Sequence, residues 1–366
     1  MRQLRQRFPR QSPFAGELND ENPNCALCIN HVIALRDAMP IMKNFISEPQ
    51  ALASLFLDGG IYLWSKGSLI DGEALTGEAK AICDGTEIEG SMTAQIYSFH
   101  GSILCNSGNT EQGLAYFKKS LETLRRHFGS GATRDADRAL VANAWNNLAC
   151  AYYDLGEYDR AELCNMRSLW QKQKLADQGL PMSHLLCLSY QNIANTFAGQ
   201  ERYDEAASFF EKALNAATRE ESVSRRALTS HNYGIMRLMQ DRVEEARELL
   251  EIAYQLRCEK IGDHPDTAAS LHMLACCYYR KGDEDSLDIA RQLLNDSLRI
   301  LRSRPSSADE SRIERSLFKL SLVQEALGDL GAETSRLEVR HLYSKLTGKP
   351  TLPASEEELD VLVAYI

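Results

Sequence analysis

The sequence predicts an all-α chain, a right-handed superhelical solenoid of about seven helix hairpins with a capping helix at each end. Three observations carry this reading. The stretch Ala142–Leu169 reads as two short helices joined by a tight turn: Trp145, Leu148, Ala149 and Tyr152 recur at helical spacing, Gly156 interrupts them, and Ala161 and Leu169 face inward on a second helix. With Trp145 as column 4 of a repeat, Ala149 is column 8, Tyr152 column 11 and Ala161 column 20. Column 8 then recurs as Gly60, Gly101, Ala149, Ala194, Gly234, Ala275 and Ser321, at intervals of 41, 48, 45, 40, 41 and 46 residues. Finally, two further columns stay small: Gly72, Gly113, Ala161, Ala206, Ala246 and Ala290 at column 20, and Ala79, Ser120, Ser168, Ala213, Ala253 and Ser297 at column 27. Small residues at facing positions let two helices approach to about 8–10 Å.

Taken in order, residues 1–24 form a basic arm with Arg2, Arg5, Arg7 and Arg10, expected to be flexible. Residues 25–50 are an N-terminal capping helix, on the apolar pattern Leu27, Val32, Leu35, Met39, Met42. Cys25 and Cys28 have CxxC spacing, but no second pair follows at finger spacing, so no metal is assigned. Residues 51–346 hold the repeat array. Its sixth member carries three extra residues after Gly282, and its seventh is degenerate, with Glu333 at column 20. In Gly262–Thr267, Pro265 is expected to stop one helix, with Asp266 or Thr267 capping the next. Residues 347–366 give a linker and a C-terminal capping helix, in which Ser355 and Glu358 form a capping box and Leu359, Leu362, Val363 and Ile366 an apolar stripe.

The pattern resembles the tetratricopeptide repeat, whose helix hairpin carries W…L-G…Y…A at these spacings. The longer period, with Ala144–Ala161, Tyr190–Leu214 and His264-Pro265-Asp266 leading into Leu274–Tyr279, is similar to the repeats of kinesin light chains. It also resembles the repeat tails of fungal NACHT- or NB-ARC-type signalling ATPases. That resemblance implies a sensor or partner-binding array. No G-x-x-x-x-G-K-[ST] stretch is present, since Gly348-Lys349 runs into Pro350.

Composition narrows the function. A net charge of -10 argues against a general nucleic-acid binder, and no apolar run reaches the ~18 residues of a membrane span. Met1–Arg10 is basic without an apolar segment behind it, so no signal peptide is expected, and ten scattered cysteines fit a reduced, cytoplasmic protein. In a solenoid the first helix of each pair lines the concave side. Column 5 there reads Asn146, Gln191, His231 and His272 in the four middle repeats; column 6 adds Asn147, Asn192 and Asn232, and column 9 adds Asn195. Amides offer both donor and acceptor to an extended peptide backbone. These eight residues are therefore the expected peptide-binding groove, on an open face. Asn at column 6 has the alternative of bonding the neighbouring helix. No catalytic set, metal site or cofactor is assigned. His231, His272 and Cys276 lack a fourth ligand, and no nucleophile sits in motif context. The expected function is a non-enzymatic scaffold or adaptor for a protein or peptide. The alternatives are a structural subunit or detached sensor tail of a signalling ATPase complex, buried by its convex face, and, further off, an enzyme or metal-binding protein with a groove site.

Overall fold

Seventeen helices make up the regular structure of the residues covered by the computed structural model, which describes residues 2–10, 23–42, 47–66, 68–129, 134–217, 223–303, 309–349, 351–355 and 358–359. The chain divides into two compact units, with the boundary after Gln200. The first unit opens with α1 (Arg2–Arg7), α2 (Pro23–Asp37) and α3 (Met39–Met42). Three hairpins follow, α4 (Pro49–Ser65) with α5 (Leu69–Gly85), α6 (Gly90–Asn106) with α7 (Thr110–Phe128), and α8 (Asp135–Asp154) with α9 (Tyr158–Asp177). The unit ends with α10 (Ser183–Gly199). The second unit begins with α11 (Tyr203–Ala216). Its hairpins are α12 (Val223–Met239) with α13 (Val243–Ile261), α14 (Pro265–Lys281) with α15 (Glu284–Arg302), and α16 (Glu310–Ala326) with α17 (Gly331–Thr347).

The small-residue columns meet where expected. A Cβ added at Gly60 would lie 3.1 Å from the carbonyl oxygen of Gly72, one at Gly101 3.0 Å from that of Gly113, and one at Gly234 3.2 Å from that of Ala246. Columns 8 and 20 thus bring two helix backbones together with almost nothing between them. Column 27 adds a peg. The hydroxyls of Ser120, Ser168 and Ser297 donate to the carbonyls of Ala94, Ala142 and Ala268 at 2.8, 2.8 and 2.9 Å. Those carbonyls all belong to column 1. Between the helices, column 15 turns the chain left-handed: φ is +72° at Gly156 and +77° at Gly282, and the same turn is made at +60° by Glu201 and +59° by Asp241. The last two hold a conformation that glycine adopts at no steric penalty.

Several expectations need correction. The arm is not loose over residues 2–10. Arg5 Nη1 donates to Asp58 Oδ2 at 2.5 Å and to Ser54 Oγ at 3.1 Å, and Phe8 is buried in the core of α2 and α4. The cause is Asp58 itself, an acid inside an apolar helix that needs a cation to be tolerated there. Pro265 begins α14 rather than ending α13, because a missing N–H does no harm at the first helical position. The cap is His264, whose Nδ1 accepts from the Asp266 amide at 3.2 Å. In the last hairpin Glu333 is exposed; Ser335 takes the buried small-residue place and donates to Gln324 Oε1 at 2.8 Å. At the C-terminus, Glu358 Oε2 accepts from the Ala354 amide and the Tyr343 hydroxyl, both at 3.1 Å, and Leu359 is buried. The rest of the apolar stripe, Leu362, Val363 and Ile366, lies outside the described residues, as do residues 11–22 of the arm.

Column 1 is small or apolar in six repeats, Ala53, Ala94, Ala142, Cys187, Ala227 and Ala268, all buried. In the seventh it is Glu314, also fully buried, and neither carboxylate oxygen meets a hydrogen-bond donor. Burial alone pushes this carboxyl up to about 7. The folded state therefore keeps a proton that the unfolded chain releases near the ordinary glutamate value. Stability is fully present below that value and is lost as pH rises toward 7.

Two measurements follow. Gly113→Ala should destabilise by about 1–3 kcal/mol, since its Cβ would sit 2.4 Å from Cys105 Sγ and 2.7 Å from the Gly101 carbonyl. Gly77→Ala, on the neighbouring second helix α5 with nothing within 4 Å, should instead stabilise by about 0.5–1 kcal/mol. Equal shifts in melting temperature for the two would refute the column assignment. For Glu314→Gln, the melting temperature should match the parent near the ordinary glutamate pKa and exceed it above pH 7. A constant difference across that window would show that Glu314 does not titrate in the fold.

Candidate functional site

The eight amide and imidazole residues divide into two layers. Column 5 is not open: Asn146, Gln191, His231 and His272 are only 4, 1, 8 and 2 % exposed. Columns 6 and 9, represented by Asn147, Asn192, Asn195 and Asn232, are half-buried. The expectation of an open polar track along column 5 is therefore corrected. At Asn146, His231 and His272, column 5 meets the first helix of the next hairpin, and stacking covers it.

In the first unit, Asn146 on α8 is held from two sides. Its Oδ1 accepts from Lys172 Nζ on α9 at 3.4 Å and from Asn192 Nδ2 on α10 at 3.2 Å. Lys172 has no exposed surface, and its ammonium also donates to Ser189 Oγ on α10 at 3.0 Å. Asn165 Nδ2 donates to the Asn192 carbonyl and to Thr196 Oγ1, at 3.3 and 3.1 Å. Asn147 Nδ2 donates to Ser98 Oγ on α6 at 2.6 Å. For Asn147 and Asn192, the alternative of bonding the neighbouring helix is the observed arrangement.

The second unit repeats the design with different chemistry. His231 Nδ1 on α12 lies 3.5 Å from Ser270 Oγ on α14. Arg257 on α13 donates through Nη1 to that same hydroxyl and to the Asp266 carbonyl, both at 2.8 Å. His272 Nδ1 lies 3.2 Å from Ser316 Oγ on α16. Burial, reinforced by Arg257, Arg315 and His272, holds the His231 imidazole well below the usual histidine range, so it is neutral at physiological pH. Lys172 and Arg257 share column 31, and Ser189 and Ser270 share column 3. Each unit thus builds one tie, from a column-5 polar group, a column-31 cation and a serine of the next hairpin. The tie lay beyond a reading of the first helices alone. Its signal was present: Lys172 and Arg257 each stand four residues past column 27, on the inward face of a helix.

This arrangement joins hairpins. The imidazole of His272 faces a serine hydroxyl on the next hairpin, and among the described residues no three His, Cys, Asp or Glu side chains gather into a group that could hold a metal ion. Burial pushes the thiols of Cys105 and Cys277 up to about 12, which leaves them protonated at neutral pH. No helix among the described residues is long and apolar enough to cross a membrane.

Comparison with known proteins agrees with this geometry. One model of the tetratricopeptide repeat matches residues 92–169 and again 225–303, and a second matches 189–224, together more than half of the chain. Among solved structures, the Rap protein complexed with Competence and Sporulation Factor is 14% identical, with a TM-score of 0.60 over 93% of this chain and 94% of that one. NprR in complex with its cognate peptide NprX is 15% identical, with a TM-score of 0.58 over 92% of each. A signal transduction ATPase with a tetratricopeptide repeat sensor, PH0952 from Pyrococcus horikoshii, is 15% identical, with a TM-score of 0.50 over 88% of this chain and 47% of that one. At such identities the likeness is one of fold. Columns 8, 20 and 27, their close backbone contacts and the matching repeat models lead to one conclusion: the chain belongs to the tetratricopeptide repeat proteins.

Proposed function

We propose that this chain is a non-enzymatic scaffold that binds a peptide or protein partner along the first helices of its hairpins. The observation that carries the reading is the layering of polar groups on those helices. Asn146, His231 and His272 of column 5 are consumed in ties between hairpins, whereas the amides of columns 6 and 9 stay half-buried. Asn195 and Asn232 are the residues best suited to meet a ligand, because Asn147 and Asn192 already bond neighbouring helices. Structures of similar fold were solved with a bound peptide or factor, which supports the class of ligand but not its sequence. A second reading, a sensor array within a larger signalling ATPase, is favoured by the likeness to PH0952, of which this chain matches about half. Both readings use the repeats as a binding surface.

A peptide library displayed on phage and panned against the immobilised chain tests this. Enriched peptides should bind Asn195→Ala or Asn232→Ala, one asparagine from each unit, about two- to tenfold more weakly, the worth of one lost hydrogen bond. Melting temperatures should be unchanged, because both side chains are only half-buried. Gln191→Ala serves as the contrast: as a buried side chain it should lower the melting temperature whether or not it alters binding. Enriched peptides indifferent to both asparagine changes would overturn the assignment of this face.

A further inference from the structure

The solvent side of α9 differs from that of every other second helix. Leu163, Met166 and Trp170 are 53, 45 and 59 % exposed. Among the described residues, α9 is the one helix that leaves three large apolar side chains exposed. Their spacings of three and four residues set them in one stripe, the a–d–a pattern of a helix seam. Exposed apolar groups gathered in one stripe mark an interaction surface. Along one edge of the stripe stand Arg160, Arg167 and Lys174, each seven residues from the next. All three are laid over aromatic faces: Arg160 5.6 Å from the Tyr152 ring, Arg167 4.7 Å from Trp145, and Lys174 3.8 Å from Trp170. Arg160 also pairs with Glu157 at 2.6 Å, which leaves Arg167 and Lys174 as the cations of this edge that stack on a ring and, among the described residues, pair with no acid.

We propose that this exposed face of α9 docks an amphipathic helix of a partner protein, one whose apolar residues recur at three- and four-residue spacing and whose facing edge is acidic. Charge decides the occupant. A second copy of this chain packed antiparallel through α9 would set the cationic edge against itself, whereas an acidic edge would meet Arg167 and Lys174, two turns apart. Trp170 is the anchor, as the large, rigid aromatic at the C-terminal end of the stripe. This surface is separate from the first-helix amides, so either can fail without the other.

The test uses the full chain and two synthetic helical peptides of about three heptads, both with leucine at a and d, one with glutamate and the other with lysine at the flanking positions. Fluorescence polarisation should show the glutamate peptide binding at least about tenfold more tightly than the lysine peptide, with the preference shrinking as salt is added. Trp170→Glu should weaken the glutamate peptide by about tenfold or more, and Arg167→Glu with Lys174→Glu should reverse the preference. Asn195→Ala and Asn232→Ala should leave this binding unchanged. Circular dichroism checks that each variant keeps its helices. Equal affinity for the two peptides, no binding of either, or indifference to Trp170→Glu would overturn the proposal. So would a sedimentation profile in which the chain dimerises and Trp170→Glu makes it monomeric.

Discussion

Two helix backbones in near contact are what the whole chain is built around. Where columns 8 and 20 meet, a single added carbon would lie about 3 Å from a carbonyl oxygen in three of the hairpins. That closeness forces small side chains at both positions and fixes where the two helices cross. The serine pegs at column 27 are possible only because the helices are this near. The inward direction of every other column is set by the same crossing. Larger residues then fill the space on either side, such as Phe117 beside Gly101 and Leu250 beside Gly234.

Hairpins built this way still have to be joined, and here the chain uses polar atoms. Purely apolar faces would pack in several registers; a buried hydroxyl, amide or cation is satisfied in one. In the first unit an ammonium serves an amide and a serine at once, and in the second a serine serves an imidazole and a guanidinium. The chemistry differs and the columns are the same. The places, more than the residue types, are what the repeats have in common.

That distinction explains what could be read from the sequence. The hairpins, their number and the column contacts were legible, because steric exclusion at columns 8 and 20 leaves only glycine, alanine or serine. The burial of column 5 was not. Asn, Gln and His look alike whether they face water or a neighbouring hydroxyl, and only the stacking of the next hairpin tells them apart. Lys172 and Arg257 are the signals of the ties in the sequence, since a cation on an inward face needs a polar partner nearby. Asp58 was another, as one acid in the run from Leu52 to Leu63 that required Arg5 to fold back. The α9 stripe was visible as Leu163, Met166 and Trp170, but an apolar residue on a repeat helix is read as core until its exposure is known.

The serine pegs carry a consequence for how the chain folds. Each joins residues within one hairpin, 26 positions apart in two hairpins and 29 in the one with the longer turn. The ties between hairpins reach only to the next one, and within each unit the repeat helices pack on the next helix and the next but one. No contact within a repeat requires a long loop to be closed first, so the entropy given up at each step is small and is recovered at once by packing. A chain of this kind gains structure hairpin by hairpin, from whichever pair forms first, and the order of events is free to differ from one molecule to the next.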